Sequence, residues 1–177
     1  NPSTAGAAAP RTTVRDTIHL EQDNRYYFGR PRKNGNSMYT ESEGYFWRRF
    51  SHNSTSSISD TYTLPVGRRI DDGGETLDLS VRLDAATNSC HRVEVQARLG
   101  TSGSATFETV GSVEWRRFSY DGKPRPTVTA SIAQDRIPDG GLDLKLISYN
   151  SGFSLDNCNP SSTPNYVLLD WIEAAYT

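Results

Sequence analysis

Hydrophobic and polar residues alternate along most of this chain, at the two-residue period of half-buried strands. Thr76 to Leu83 is the cleanest case, with Leu77, Leu79, Val81 and Leu83 on one side and Asp78, Ser80 and Arg82 on the other. Arg92 to Leu99 repeats the pattern through Val93, Val95, Ala97 and Leu99. The same reading predicts strands over Thr13 to Gln22, Glu43 to Ser51, Asp60 to Val66, Thr127 to Ala133 and Leu142 to Tyr149. It also predicts a pair, Thr106 to Val110 and Val113 to Tyr120, meeting across Gly111. No helical period lasts beyond two turns. About ten short antiparallel strands between turn residues predict an all-β fold, most simply a jelly-roll β-sandwich. Residues 1–12 are small and linker-like, which predicts 13–177 as a single domain, expected to belong to a longer secreted chain.

The last strand, from Asn165 to Thr177, is the longest apolar run and carries one charge that its neighbours oppose. Strict alternation sets Val167, Leu169 and Trp171 on one face, and Leu168, Asp170 and Ile172 on the other. Asp170 then sits between aliphatic side chains, where a carboxylate requires a hydrogen-bond donor, a cation or a metal. Two readings are open: Asp170 caps a loop at a sheet end, or it is a cation ligand.

Composition adds a setting. Of 177 residues, 34% are hydrophobic and 10% aromatic, so the core must be thin and built from strands. A net charge of −2 gives no footprint for nucleic acid or an anionic membrane, and no transmembrane segment is present. Cys90 and Cys158 both lie in polar, turn-like surroundings, unlike buried free thiols. They are expected to form one disulfide, which places the domain in an oxidising, extracellular compartment.

Three groups of aromatic and polar residues are candidates for ligand contact. Tyr149, Asn150, Phe153 and Asn157 put rings beside amides in the long loop that feeds the last strand. Tyr26 and Tyr27, followed by Arg30, combine stacking surface with cations suited to an acidic polysaccharide. Trp47 to Ser51 and Trp115 to Ser119 are identical over five residues, Trp-Arg-Arg-Phe-Ser. Trp47 and Arg49 share a face in strict alternation and would make a sugar platform. Each group has a plainer reading as core, solvated turn or disulfide-pinned loop.

Asp16-Thr-Ile-His-Leu-Glu-Gln-Asp23 and Val167-Leu-Leu-Asp-Trp-Ile-Glu173 resemble the two terminal strands of galactose-binding-like jelly rolls. The resemblance is closest to carbohydrate-binding modules of families 6 and 35. It implies that the terminal strands lie side by side and that Glu21 and Asp170 bind a structural calcium. His19 stands where the family has its first Glu, so one carboxylate of that set is missing. It further implies a non-catalytic module of a secreted polysaccharide-active enzyme, monomeric within a larger multidomain chain, binding an oligosaccharide or polysaccharide through loop residues.

Motifs for catalysis are absent from the sequence: no Gly-x-Ser-x-Gly elbow and no His-Glu-x-x-His occurs. Two alternatives to a binding module stay open. One is a jelly-roll polysaccharide lyase or glycosidase, a lyase drawing on Arg48, Arg116, His91 and the tyrosines. The other is a structural or adhesive accessory domain of a secreted protease or surface protein.

Overall fold

The computed structural model describes residues 15–22, 25–26, 45–52, 57–66, 74–85, 87, 89–100, 103–116, 125–155, 158 and 165–176. The expected linker over 1–12 lies outside them. Among the described residues eleven strands run in order: β1 (Asp16–Glu21), β2 (Arg25–Tyr26), β3 (Tyr45–Phe46), β4 (Arg48–His52), β5 (Ile58–Leu64) and β6 (Thr76–Ala85). Then follow β7 (Cys90–Leu99), β8 (Thr106–Arg116), β9 (Thr127–Ala133), β10 (Leu142–Tyr149) and β11 (Asn165–Tyr176). Among the described residues the helical content is one three-residue turn, Gln134–Arg136, so no helix there is long and apolar enough to cross a membrane.

Nine of these strands form two antiparallel sheets, and β2 pairs with β3 in a separate two-stranded ribbon. One has the order β4-β11-β6-β9, with β1 also on β11, and the other has β5-β10-β7-β8. From β4 to β11 the chain crosses between sheets at every step except the β7–β8 hairpin, which is the winding of a jelly roll. The alternation read from the sequence becomes burial directly. Leu77, Leu79, Val81 and Leu83 of β6 pack against Val93, Val95, Ala97 and Leu99 of β7, and Leu142, Leu144 and Leu146 of β10 join them.

At the β8/β9 side the two sheets approach closely. A Cβ on Gly111 would stand 2.6 Å from Val128 Cγ1, so this position takes no side chain without a shift. Gly111 also marks a correction. Thr106–Arg116 is one strand rather than two, because ten residues of β7 pair along its whole length. The register shifts opposite Val95 and Gln96, leaving Val110 as an extra, bulged residue.

The last strand is corrected in the same way. β11 pairs β6 on one side; on the other it pairs β4 through Asn165–Leu169 and β1 through Trp171–Tyr176. Asp170 falls between those two short partners, and the register against β6 shifts between Leu169 and Trp171. The bulge resets the alternation. Val167, Leu169, Ile172, Ala174 and Tyr176 enter the core, while Trp171 leaves the face predicted for it and meets the His19 ring at 5.5 Å.

The disulfide Cys90–Cys158 is present, with Cα atoms 5.7 Å apart. Beside it runs a buried polar network. Asn165 donates to the Cys90 carbonyl (3.0 Å) and to Asn150 Oδ1 (3.2 Å), and Thr87 Oγ1 donates to Asn165 Oδ1 (3.2 Å). His52 Nε2 and Ser148 Oγ, 2.9 Å apart, tie β4 to β10 across the sandwich. The disulfide closes a loop with a sequence separation of 68 residues. Reducing it is expected to cost about 4 kcal/mol in the chain-entropy model, read as a lower urea midpoint with dithiothreitol than without. An unchanged midpoint would show that the buried network alone holds this end.

Candidate functional site

Opposite the closed β8/β9 side, the edges of the two sheets stand apart. Trp47, at the bend between β3 and β4, reaches from one sheet, and Tyr62 of β5 from the other. Their rings meet edge to face with centroids 4.6 Å apart. That arrangement suits the aromatic quadrupoles and leaves ring surface available to a third group. Arg48 and Asp60 form an ion pair between the same two strands, β4 and β5. Between these edges lies a cleft of about 270 Å³ lined by His19, Leu20, Glu21, Gln22, Trp47, Tyr62 and Thr63. It is near the small end of ligand sites, which run from about 300 to 1,000 Å³.

The floor and rim of the cleft differ in chemistry. Tyr62 Oη is buried with no hydrogen-bond partner among the described residues. Burial pushes the Tyr62 phenol up from its ordinary pKa, with Asp60 adding to the effect, so it is a neutral donor. An orphaned buried hydroxyl costs roughly 1–3 kcal/mol, which a ligand oxygen would recover. At the rim, His19 lies between two carboxylates, with Nε2 3.0 Å from Glu21 Oε2 and Nδ1 3.2 Å from Glu173 Oε2. Only the imidazolium can donate from both nitrogens.

The structure brings Trp47 and Glu21 of the sequence candidates into this one cleft. Arg49 is not with them. The bend at Trp47 breaks the alternation, and Arg49 covers the Tyr166 ring at 4.9 Å, on the outer face of the sheet. Tyr149 lies elsewhere, on the outer face of β10, under the Arg92 guanidinium (5.0 Å) and within 3.4 Å of Glu94. Asn150 turns the other way and is buried against Asn165. Phe153 is half-buried in the loop that follows, whose Ser154 and Leu155 amides donate to Glu114. Tyr27, Arg30 and Asn157 lie outside the described residues, as does the side chain of Tyr26. Tyr62, Gln22 and Thr63 were missed. Tyr62 was legible as an alternating inward position of β5, but nothing in the sequence said that β5 would be a sheet edge.

Asp170 is 6% exposed and does have a cation, Arg125, whose Nη1 lies 3.0 Å from Asp170 Oδ2. Glu21 is engaged by His19. Calcium takes six to eight oxygen ligands. Among the described residues no group of three or more acidic, His or Cys side chains could hold a metal ion, so this donor set does not fit the expected calcium.

No protein-family model and no curated protein matches the sequence. Among solved structures, dimeric latent PorU from Porphyromonas gingivalis superimposes with a TM-score of 0.46 and 17% identity, covering 98% of this chain and 14% of that one. A carbohydrate-binding module, CBM36, in complex with calcium and xylotriose gives a TM-score of 0.38 and 16% identity, covering 89% of this chain and 98% of that one. This chain therefore spans a small part of PorU and nearly all of the module. Both superpositions lie below a TM-score of 0.5, too loose to carry the function of either protein across.

The His19 clasp has a defined pH dependence. The hydrogen bond to Glu21 raises the His19 pKa above its ordinary 6.5; burial opposes this and Glu173 adds to it. A raised pKa in the folded state means the clasp stabilises fully below about pH 6.5 and is lost as pH rises through the folded value. His19→Gln should therefore cost more at pH 5.5 than at pH 8.5. Solvent screening of this exposed group keeps the difference below about 1 kcal/mol. Urea unfolding at the two pH values checks it, and equal costs would refute the clasp.

Proposed function

We propose that this domain is a non-catalytic carbohydrate-binding module that takes a neutral oligosaccharide or polysaccharide in the edge cleft. The observation that carries the reading is the edge-to-face pair of Trp47 and Tyr62 over a buried hydroxyl lacking a partner among the described residues. A pyranose offers an apolar C–H face and a ring of hydroxyls, and the cleft offers aromatic surface with polar groups at its margin. The Trp47 and Tyr62 rings supply stacking surface. Tyr62 Oη donates to a sugar oxygen. Glu21, Gln22 and Thr63 meet hydroxyls at the rim, with Thr63 already oriented by its 2.7 Å hydrogen bond to Asp143.

The lining also bears on which sugars fit. Among the described residues the cleft lining includes Glu21, whose carboxylate disfavours a uronate or sulfate. Neutral glycans are therefore preferred over the acidic ones considered from the sequence. Elimination with His91 as the base is disfavoured, because His91 is 0% exposed. The disulfide fits a secreted setting.

The test is retardation on native gels containing neutral or acidic polysaccharides, followed by calorimetry on whichever is retained. Trp47→Ala should weaken binding at least tenfold, and Tyr62→Phe by roughly three- to tenfold, about the net value of one hydrogen bond. Neither should release reducing ends or an ultraviolet-absorbing unsaturated product. Retention unaffected by both substitutions would place the site elsewhere.

A further inference from the structure

At the outer face of the β1/β4-β11-β6-β9 sheet, two carboxylates share one cation where β11 bulges, and a third acts on one of them through its charge. Asp170 occupies the bulge, Asp84 comes from β6, and Glu21 ends β1. Arg125, in the segment leading into β9, reaches the first two with different nitrogens: Nη1 to Asp170 Oδ2 at 3.0 Å and Nε to Asp84 Oδ2 at 3.4 Å. Its side chain is only 16% exposed, and those of Asp84 and Asp170 are 18% and 8% exposed. The backbone beside it is anchored too, since Leu83 N donates to the Pro126 carbonyl at 2.9 Å. A planar guanidinium with donors in a fixed fork is suited to hold two carboxylates at once, as an ammonium is not.

We propose that Arg125 is the resident cation of this cluster, standing in for the structural calcium implied by the resemblance of the terminal strands, and that the domain is stable without metal. The reason lies in the backbone. Asp170 belongs neither to the β4 register nor to that of β1, so neither strand sets a residue directly opposite it. It is buried enough that an unmet charge would be costly. Burial raises the Asp170 pKa, and Arg125 is the largest influence acting against that rise. Arg82, one register position away on β6, contributes in the same direction but is turned toward Thr127 Oγ1 at 3.0 Å. The proposal does not depend on sugar binding.

The test is thermal unfolding of the intact domain in excess EDTA and in 5 mM calcium, together with elemental analysis. The wild type should melt at the same temperature in both and carry no stoichiometric metal. Arg125→Ala should lower Tm by on the order of 10 °C, the scale of a broken buried ion pair in a domain of this size. Arg125→Lys, which keeps the charge and loses the fork, should fall between, and it serves if the alanine variant does not fold. The deciding measurement is the cycle with Asp170→Asn. In that background the loss from replacing Arg125 should shrink by more than half, because the buried charge it answers is gone. Additive losses would overturn the proposal, as would a wild-type Tm that rises in calcium and falls in EDTA.

Discussion

A strand of twelve residues paired on both sides has one residue that neither neighbour can accommodate. β11 is about 40 Å long at the usual rise per residue, longer than any partner on its outer side. Two short strands, β4 and β1, therefore share that side end to end, and Asp170 stands at the seam between them. The bulge there decides which residues of β11 face the core after it, and so fixes the position of Trp171 and Glu173 beside β1. Both main sheets are tied to this strand, through the β6 ladder on one side and through β4, whose His52 reaches Ser148 of the other sheet.

The seam also explains why one edge of the sandwich is open. At the far side, β8 and β9 draw together over Gly111, where the absence of a side chain lets the sheets approach. Near β1 and β4 the edge is made from two short strands and a bend rather than one long strand. Trp47 projects from that bend and Tyr62 answers it from β5. The cleft is thus a consequence of how the long strand is covered. Its aromatic wall and its polar rim each draw on both sheets, so the geometry depends on the Arg48–Asp60 pair between them and on Gly141 beside the end of β5. That glycine has a φ of 125° and would bring a Cβ to 2.5 Å from the Leu64 carbonyl, so a bare backbone is needed where β5 and β10 meet.

Much of the fold was legible from period alone. β6, β7 and β10 lie where their alternation put them, because a strand buried on one face must repeat every two residues. The disulfide was legible from the polar surroundings of Cys90 and Cys158. The site was legible only in pieces. Trp47 and Glu21 were singled out for separate roles, one as a sugar platform and one as a metal ligand, and the structure sets them in the same cleft. Arg125 carried no signal at all, since its place depends on three strands far from it in sequence.

The sequence by itself determined an all-β domain of alternating strands, stapled by one disulfide, with an aromatic-rich surface and a buried carboxylate in its last strand. These properties follow from side-chain period and polarity, which are local. The tertiary structure decided the rest: that Val110 and Asp170 are bulged, that Trp171 faces His19 rather than the core, and that the cation beside Asp170 is a guanidinium. Bulges arise from mismatched partner lengths, and an ion pair from which loop returns to which strand. Neither quantity exists until the strands have found their partners.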